Sequence, residues 1–332
     1  MSVLLEVENL RTTFYTDAGA VYAVNGVEFT IERGNTLGVV GESGCGKSAT
    51  ALSIMGLIRP PGKIETGKIL FHRNGSVIDL SKLKPMGPEM RSIRGNEIAM
   101  IFQEPMVSLN PVYTIGTQIM ESIILHQRLS RNDARSKAVA MLESVGIPSP
   151  EMRIREYPHQ LSGGMRQRAM IAMAISCNPS LLIADEPTTA LDVTIQAQVL
   201  NLMNQLRNEF KAAIMFITHD LGVIAHTADD VVVMYLGRIV EKASVDDLFY
   251  NPKHPYTRGL IGSIPSLTTT KEKRLVPIEG TVPDITLAGQ GCGFESRCRE
   301  KIGICARLTP PLSEVAPGHF AACWLLVEGE RA

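Results

Sequence analysis

An α/β fold organised on a core sheet is predicted for this sequence, and three observations predict it. All-apolar runs of strand length recur, at Thr36–Val40, Ile98–Phe102, Leu181–Asp185, Ala213–Ile217 and Val231–Tyr235. Several lead into stretches that read as helices, as strands covered on both faces require. Two of the runs end directly in residues suited to holding phosphate or moving a proton.

The first of those ends is Gly41-Glu42-Ser43-Gly44-Cys45-Gly46-Lys47-Ser48, a complete G-x-x-x-x-G-K-[ST] loop. A triphosphate needs dense positive potential without bulky walls. Glycines let successive N–H groups turn inward at a helix N-terminus. Lys47 reaches the β- and γ-phosphates of ATP in such a loop, and the Ser48 hydroxyl ligates Mg²⁺. Ser48–Ile58 reads as the following helix, with Ala51, Leu52, Met55 and Leu57 inward, and Ala49 is counted with the binding set.

The second end is Asp185-Glu186, two carboxylates delivered by four apolar residues. Standing alone, such a pair also suits two solvated acids capping a strand. Beside a phosphate loop, Asp185 suits the Mg²⁺ shell and Glu186 the general base that polarises the attacking water. A third element, Leu161-Ser162-Gly163-Gly164-Met165, precedes a helix predicted from Met165 to about Ser176. Ser162, Gly163 and Gly164 offer a hydroxyl and unencumbered N–H groups at that helix's positive end.

With these motifs in order, the chain resembles the nucleotide-binding subunits of ABC transporters over roughly Leu4 to Leu267. The resemblance implies a P-loop NTPase cassette with a RecA-like core, a small antiparallel β subdomain and a helical signature subdomain at about 104–170. It implies that Ser162, Gly163 and Gly164 close over a nucleotide held by a partner ATPase. It implies that Gln103 senses the γ-phosphate through Mg²⁺ and water, that Asp192 in Thr189-Ala190-Leu191-Asp192 belongs to a loop crossing the dimer interface, and that His219 is the switch histidine. Asp220 reads as a helix cap. Phe14 matches the adenine-stacking aromatic by position, with Tyr15 as the alternative. Strands at Val3–Val7, Val27–Ile31 and Lys68–Phe71 fit the small sheet, and helices at Ile115–His126 and Arg131–Val145, stopped by Gly146, fit the insert.

Two strings resemble the dipeptide, oligopeptide and nickel importer branch: Gln103 to Pro111 with Tyr113 to Gln118, and Asn251 to Arg258 followed by Leu260 to Leu267. That resemblance implies uptake of di- or oligopeptides, with nickel, glutathione or another small solute as alternative cargo. It implies two transmembrane permease subunits, a second related ATPase (a different chain or a copy of this one) and an extracytoplasmic substrate-binding protein. A soluble non-transport ATPase of the same type is the rival reading. It fits poorly with a single cassette in which about 110 residues without heptads separate the loop and LSGGM.

Composition narrows the rest. Lys and Arg number 33 against 34 Asp and Glu, so no electrostatic footprint for nucleic acid is visible. No apolar run approaches the roughly 18 residues of a membrane span. The N-terminus lacks the basic flank of a signal peptide. The expected location is the cytoplasmic face of the membrane, reached through partners.

Residues 268–332 form an expected C-terminal extension containing Cys292, Cys298, Cys305 and Cys323. A cytosolic chain keeps few structural disulfides, so four clustered cysteines suggest thiolate ligation of a metal. The spacing lacks the C-x₂-C pair of common zinc sites. A [4Fe–4S] cluster suits a Cys₄ set, and the tail resembles that of peptide-importer ATPases carrying one; Zn²⁺ or no metal are the alternatives. A structural, accessory role is the expectation for it. His319 nearby reads as a surface histidine, and the isolated Cys45 and Cys177 read as buried.

Overall fold

The computed structural model describes residues 2–17, 19–73, 75–103, 108–189, 191–264, 278–283 and 291–327. The expected 267/268 boundary lies outside the described residues. So do residues 104–107 and 265–267 of the two importer-like strings, and position 190 of the loop ending at Asp192.

Strands are β1 (Val3–Thr16), β2 (Gly19–Glu32), β3 (Thr36–Val40), β4 (Gly62–Arg73), β5 (Ser76–Asp79), β6 (Ile98–Ile101), β7 (Leu181–Asp185), β8 (Ala213–Thr218), β9 (Asp230–Tyr235), β10 (Arg238–Ser244), β11 (Ser313–Ala316) and β12 (His319–Ala321). The chain forms two compact units. One comprises Met1–Leu4, Ile31–Asn35 and Lys82–Ile217, and the other Leu5–Thr30, Thr36–Ser81 and Thr218–Ala332.

In the first unit β6, β7 and β8 are parallel, in register from Ile98↔Leu181 and Leu181↔Ala213 onward. Every residue of the three strands is buried. That explains their uninterrupted apolar sequence, because a strand covered on both faces has no solvent side on which to alternate. The helices Ile115–Gln127, Arg131–Ser144, Gly163–Ile175 and Val193–Phe210 each open on a side-chain cap. Thr114, Ser130, Ser162 and Asp192 accept the N–H of Thr117, Asp133, Met165 and Ile195, satisfying a donor that has no partner inside the helix. Gly146, at φ 71°, stands just past the second of them, as its stop signal predicts.

The second unit holds an antiparallel sheet ordered β2-β1-β4-β5. It also carries β3 parallel to β9, β9 antiparallel to β10, and β10 antiparallel to β12, which pairs in turn with β11. The small-sheet strands run far beyond their predicted cores. Their charged positions (Glu6, Glu8, Arg11) alternate with buried Leu5, Val7 and Leu10, and that alternation is the strand signal. The helix after the glycine loop is shorter than predicted and spans Lys47–Ile54. Gly56 turns left-handed at φ 59°, so Leu57 lies beyond the helix, and Ser53 and Ile54 are buried where Leu52 is only half-buried. Among the described residues no helix is long and apolar enough to cross a membrane.

β10, β11 and β12 escaped the sequence reading, and with them the place of His319. It is 1 % exposed and its Nε2 lies 2.7 Å from Glu241 Oε1, which corrects the expected surface position. Antiparallel pairing of β12 with β10 (Glu241↔Ala321) brings the two residues together. The Glu241 carboxylate, itself fully buried, also accepts the N–H of Lys253 at 2.6 Å and of His254 at 2.9 Å.

His254 is buried as a neutral imidazole whose Nδ1 accepts the Tyr256 N–H at 3.0 Å. Burial, with Arg258 adding to it, pushes its pKa down to about 3. In the unfolded chain it titrates near 6.5. Between those values the unfolded chain binds more protons, so stability held above about pH 6.5 is lost as pH falls towards 3. Going from about pH 7.5 to about pH 5 is expected to remove about 2 kcal/mol through this residue. In His254→Asn, which keeps an acceptor for the Tyr256 N–H, urea unfolding at the two pH values should lose that share of the difference.

Candidate functional site

The phosphate-type loop leaves fully buried β3 and enters the Lys47–Ile54 helix, the strand–loop–helix arrangement its sequence calls for. Two of its glycines are required by contact. A Cβ at Gly41 would run into the Met234 carbonyl oxygen, and one at Gly46 (φ 100°) into that of Ala23. Lys47 is 5 % exposed, and its Nζ donates to the carbonyl oxygens of Gly41 at 2.7 Å and Glu42 at 3.0 Å. The ammonium is thus held on the loop's own concave backbone. Thr50 Oγ1 donates to the Gly46 carbonyl at 3.0 Å and ties the first helical turn to the loop. Cys45 is buried, and that burial pushes its thiol pKa up, so it is no nucleophile here.

β7 delivers Asp185, 4 % exposed, to its C-terminal end, and Glu186 follows in the left-handed region at φ 48°. That conformation costs a non-glycine residue about 1–2 kcal/mol and is characteristic of functional positions. The Glu186 N–H donates to Ile217 O at 2.9 Å. Its Oε2 accepts from Gln103 Nε2 at 3.0 Å and from Thr189 Oγ1 at 2.9 Å. Two residues singled out from sequence, Gln103 and Glu186, therefore touch across 83 positions. Thr189 is a further partner whose role the sequence reading missed, although it stands within the string quoted for Asp192. Ser48, Asp185 and Gln103 offer hard oxygen donors of the type Mg²⁺ takes.

The signature helix begins at Gly163, two residues earlier than predicted, because the exposed Ser162 caps it by accepting the Met165 N–H at 3.3 Å. Gly163 and Gly164 thus lie inside the first turn. A Cβ at Gly164 would press on Ile195 Cγ2, which favours glycine there. Asp192 Oδ1 caps the Val193–Phe210 helix through the Ile195 N–H at 3.0 Å. His219 is exposed directly after β8, and Asp220 accepts the Gly222 N–H at 2.8 Å as the expected helix cap. Phe14 is half-buried against Gly62, whereas Tyr15 is 54 % exposed and donates its hydroxyl to Glu65 at 2.9 Å.

Comparison with known proteins places this geometry. The family model described as ABC transporter matches residues 24–189, and the one described as oligopeptide/dipeptide transporter, C-terminal region, matches residues 240–305. The chain belongs to the ABC transporter family. A probable peptide ABC transporter ATP-binding protein of Sinorhizobium fredii is 53% identical, covering 97% of this chain and 95% of that protein. The oligopeptide transport ATP-binding protein OppD of Bacillus subtilis is 50% identical over 97% of this chain and 89% of its own length. The dipeptide transport ATP-binding protein DppD of the same organism is 48% identical over 98% and 95%. Among solved structures, the ATP-binding cassette MJ0796 bound to ADP and Pi aligns with a TM-score of 0.64 and 25% identity, covering 73% of this chain and 99% of that one.

In this ABC chain the C-terminal cysteines are near one another without forming a ligand set. Cys292 N donates to Cys305 O at 2.7 Å. Burial, with the other three thiols adding to it, raises the Cys292 pKa to about 11, and Cys298 and Cys323 are raised chiefly by burial as well. Among the described residues, however, no three His, Cys, Asp or Glu side chains are placed to hold a metal ion. The four thiols as arranged do not fit the expected cluster.

Proposed function

We propose that this chain is the ATP-binding and ATP-hydrolysing subunit that powers uptake of di- or oligopeptides across the cytoplasmic membrane. The observation that carries the mechanism is the hydrogen bond between Gln103 and Glu186, which ties the proposed γ-phosphate sensor to the proposed base. The glycine loop with Lys47 binds the phosphates of ATP. Ser48, Asp185 and Gln103 would be the residues that hold Mg²⁺, which would supply charge neutralisation for phosphoryl transfer when bound. Glu186 takes a proton from the attacking water, and His219 contacts the γ-phosphate. Ser162, Gly163 and Gly164 at a helix N-terminus, with Asp192, serve the nucleotide of a partner ATPase. Phe14 stacks on adenine. Closure of the two ATPases around ATP then drives the permeases, and hydrolysis reopens them.

Peptide cargo rests on the names of the relatives and on the oligopeptide/dipeptide C-terminal match. On this reading residues 1–267 are the cassette, with a helical subdomain at about 104–170, and 268–332 a cysteine-bearing extension. The chain sits peripherally at the cytoplasmic face, bound to two permeases and a second ATPase. The [4Fe–4S] cluster implied by the resemblance is not included, because the four thiols form no ligand set as arranged.

Tagged Glu186→Gln protein, purified with ATP from its native host, tests the whole reading. Two polytopic permeases and an ATPase partner are expected to copurify, and the same components reassembled with the parent chain are expected to take up labelled dipeptides rather than nickel. Ribosomal or DNA-maintenance partners without a membrane protein would overturn the transport role. Iron and acid-labile sulfide in the anaerobic preparation would overturn the exclusion of the cluster, and their absence would uphold it.

A further inference from the structure

Arg297 immediately precedes Cys298, in the single 3₁₀ turn Glu295–Arg297. Its side chain is 4 % exposed, and its guanidinium grips Glu42 as a fork, Nη1 to Oε2 at 2.6 Å and Nη2 to Oε1 at 3.0 Å. Two further donors are used as well. Nε donates to the Glu279 carbonyl at 3.1 Å, and Nη1 also reaches the Tyr235 hydroxyl at 3.4 Å. The rings of Tyr235 and Phe294 lie 5.9 and 6.0 Å from the guanidinium carbon. Those two rings and Tyr256 pack together with centroids 4.7 to 5.4 Å apart.

Glu42 is the second residue of the glycine loop, and all of its polar groups are committed. Its N–H donates to the Tyr256 hydroxyl at 2.9 Å, its carbonyl accepts from Lys47 Nζ at 3.0 Å, and Arg297 takes its carboxylate. Two of those three partners, Tyr256 and Arg297, stand more than 200 positions away from the loop in sequence. Burial separates this ion pair from its neighbours. Arg258–Glu300 and Arg299–Glu279 are 44 to 69 % exposed, and such pairs contribute little. The Glu42 carboxylate is 29 % exposed, so the pair is buried on its Arg297 side only. A bidentate pair of this kind is still directional.

We infer that Arg297 is a positioning residue for ATP binding: by clamping the Glu42 carboxylate it holds the glycine loop in its phosphate-receiving shape and neutralises a negative charge beside the polyanion. The inference rests on reading Gly41–Ser48 as the phosphate loop. It gives the C-terminal segment a direct hand on the nucleotide, because a loop that samples other shapes must be ordered at the expense of affinity. A carboxylate stripped of Arg297 also repels phosphate.

The test is the Kd for ATP with Mg²⁺, measured on the full-length chain. Arg297→Gln is expected to weaken binding about tenfold and Glu42→Gln about threefold. The double variant should be no worse than Glu42→Gln alone, because removing the carboxylate removes the repulsion. Additive losses, or parent affinity in Arg297→Gln, would overturn the clamp. Trp324, the only tryptophan of the chain, is buried in the same segment with Nε1 on Leu308 O at 2.8 Å, so its emission reports whether the segment stays folded. If Arg297→Gln shifts that emission, Glu42→Gln decides, since its substitution lies outside the segment, and parent affinity there with unshifted emission sinks the proposal. Lys47→Ala separates the two failures. Parent ATP affinity in that variant would refute the phosphate-loop reading itself, whereas lost affinity there beside neutral Glu42 and Arg297 variants would refute the clamp alone.

Discussion

Glu186→Gln is expected to lower ATP turnover by about a thousandfold while leaving ATP affinity close to that of the parent. The substitution is nearly isosteric. Its amide oxygen can still accept from Gln103 and Thr189, which bond the carboxylate at 3.0 and 2.9 Å, so the left-handed turn at φ 48° keeps its supports. What disappears is the negative charge that takes a proton from water. Steady-state phosphate release read beside ATP binding by calorimetry separates the two effects. Turnover at the parent rate would remove Glu186 from the role of base and direct attention to another acceptor.

Lys47→Ala is expected to act on the opposite parameter, weakening ATP binding by about a hundredfold. Lys47 Nζ bridges the carbonyls of Gly41 and Glu42, so truncation removes both a cation and the tie across the loop. Equilibrium titration with a fluorescent ATP analogue reads the loss directly. Lys47→Arg should restore little of it, because a planar fork cannot replace a compact ammonium in a loop this tight. Unchanged affinity in Lys47→Ala would mean that the glycine loop is not where the phosphates lie.

How far the sequence reading reached follows from burial. β3 and β7 were predicted to the residue, because strands covered on both faces are written as continuous apolar runs. The edge of the second unit was illegible for the opposite reason. β11 and β12 span four and three residues, too short to show a period, and they form only because β10 offers an edge for β12 to pair with. Helix starts suffered a smaller error of the same kind. Whether Ser162 caps its helix depends on the hydroxyl turning back to the Met165 N–H, a choice that spacing alone leaves open.

The sequence by itself determined which residues are candidates for the chemistry: the glycine loop with Lys47 and Ser48, the Asp185–Glu186 pair and the Ser162–Gly164 string. Each is a set of residue types at short, fixed spacing whose proposed role follows from local backbone geometry. Only the tertiary structure decided which distant residues meet. Gln103 meets Glu186 across 83 positions, His319 meets Glu241 across 78, and Arg297 meets Glu42 across 255. The cysteine-bearing segment, expected to be accessory, contacts the loop through that last pair. Strand order and register set such meetings, and these arise from long-range pairing and burial that no local period along the chain records.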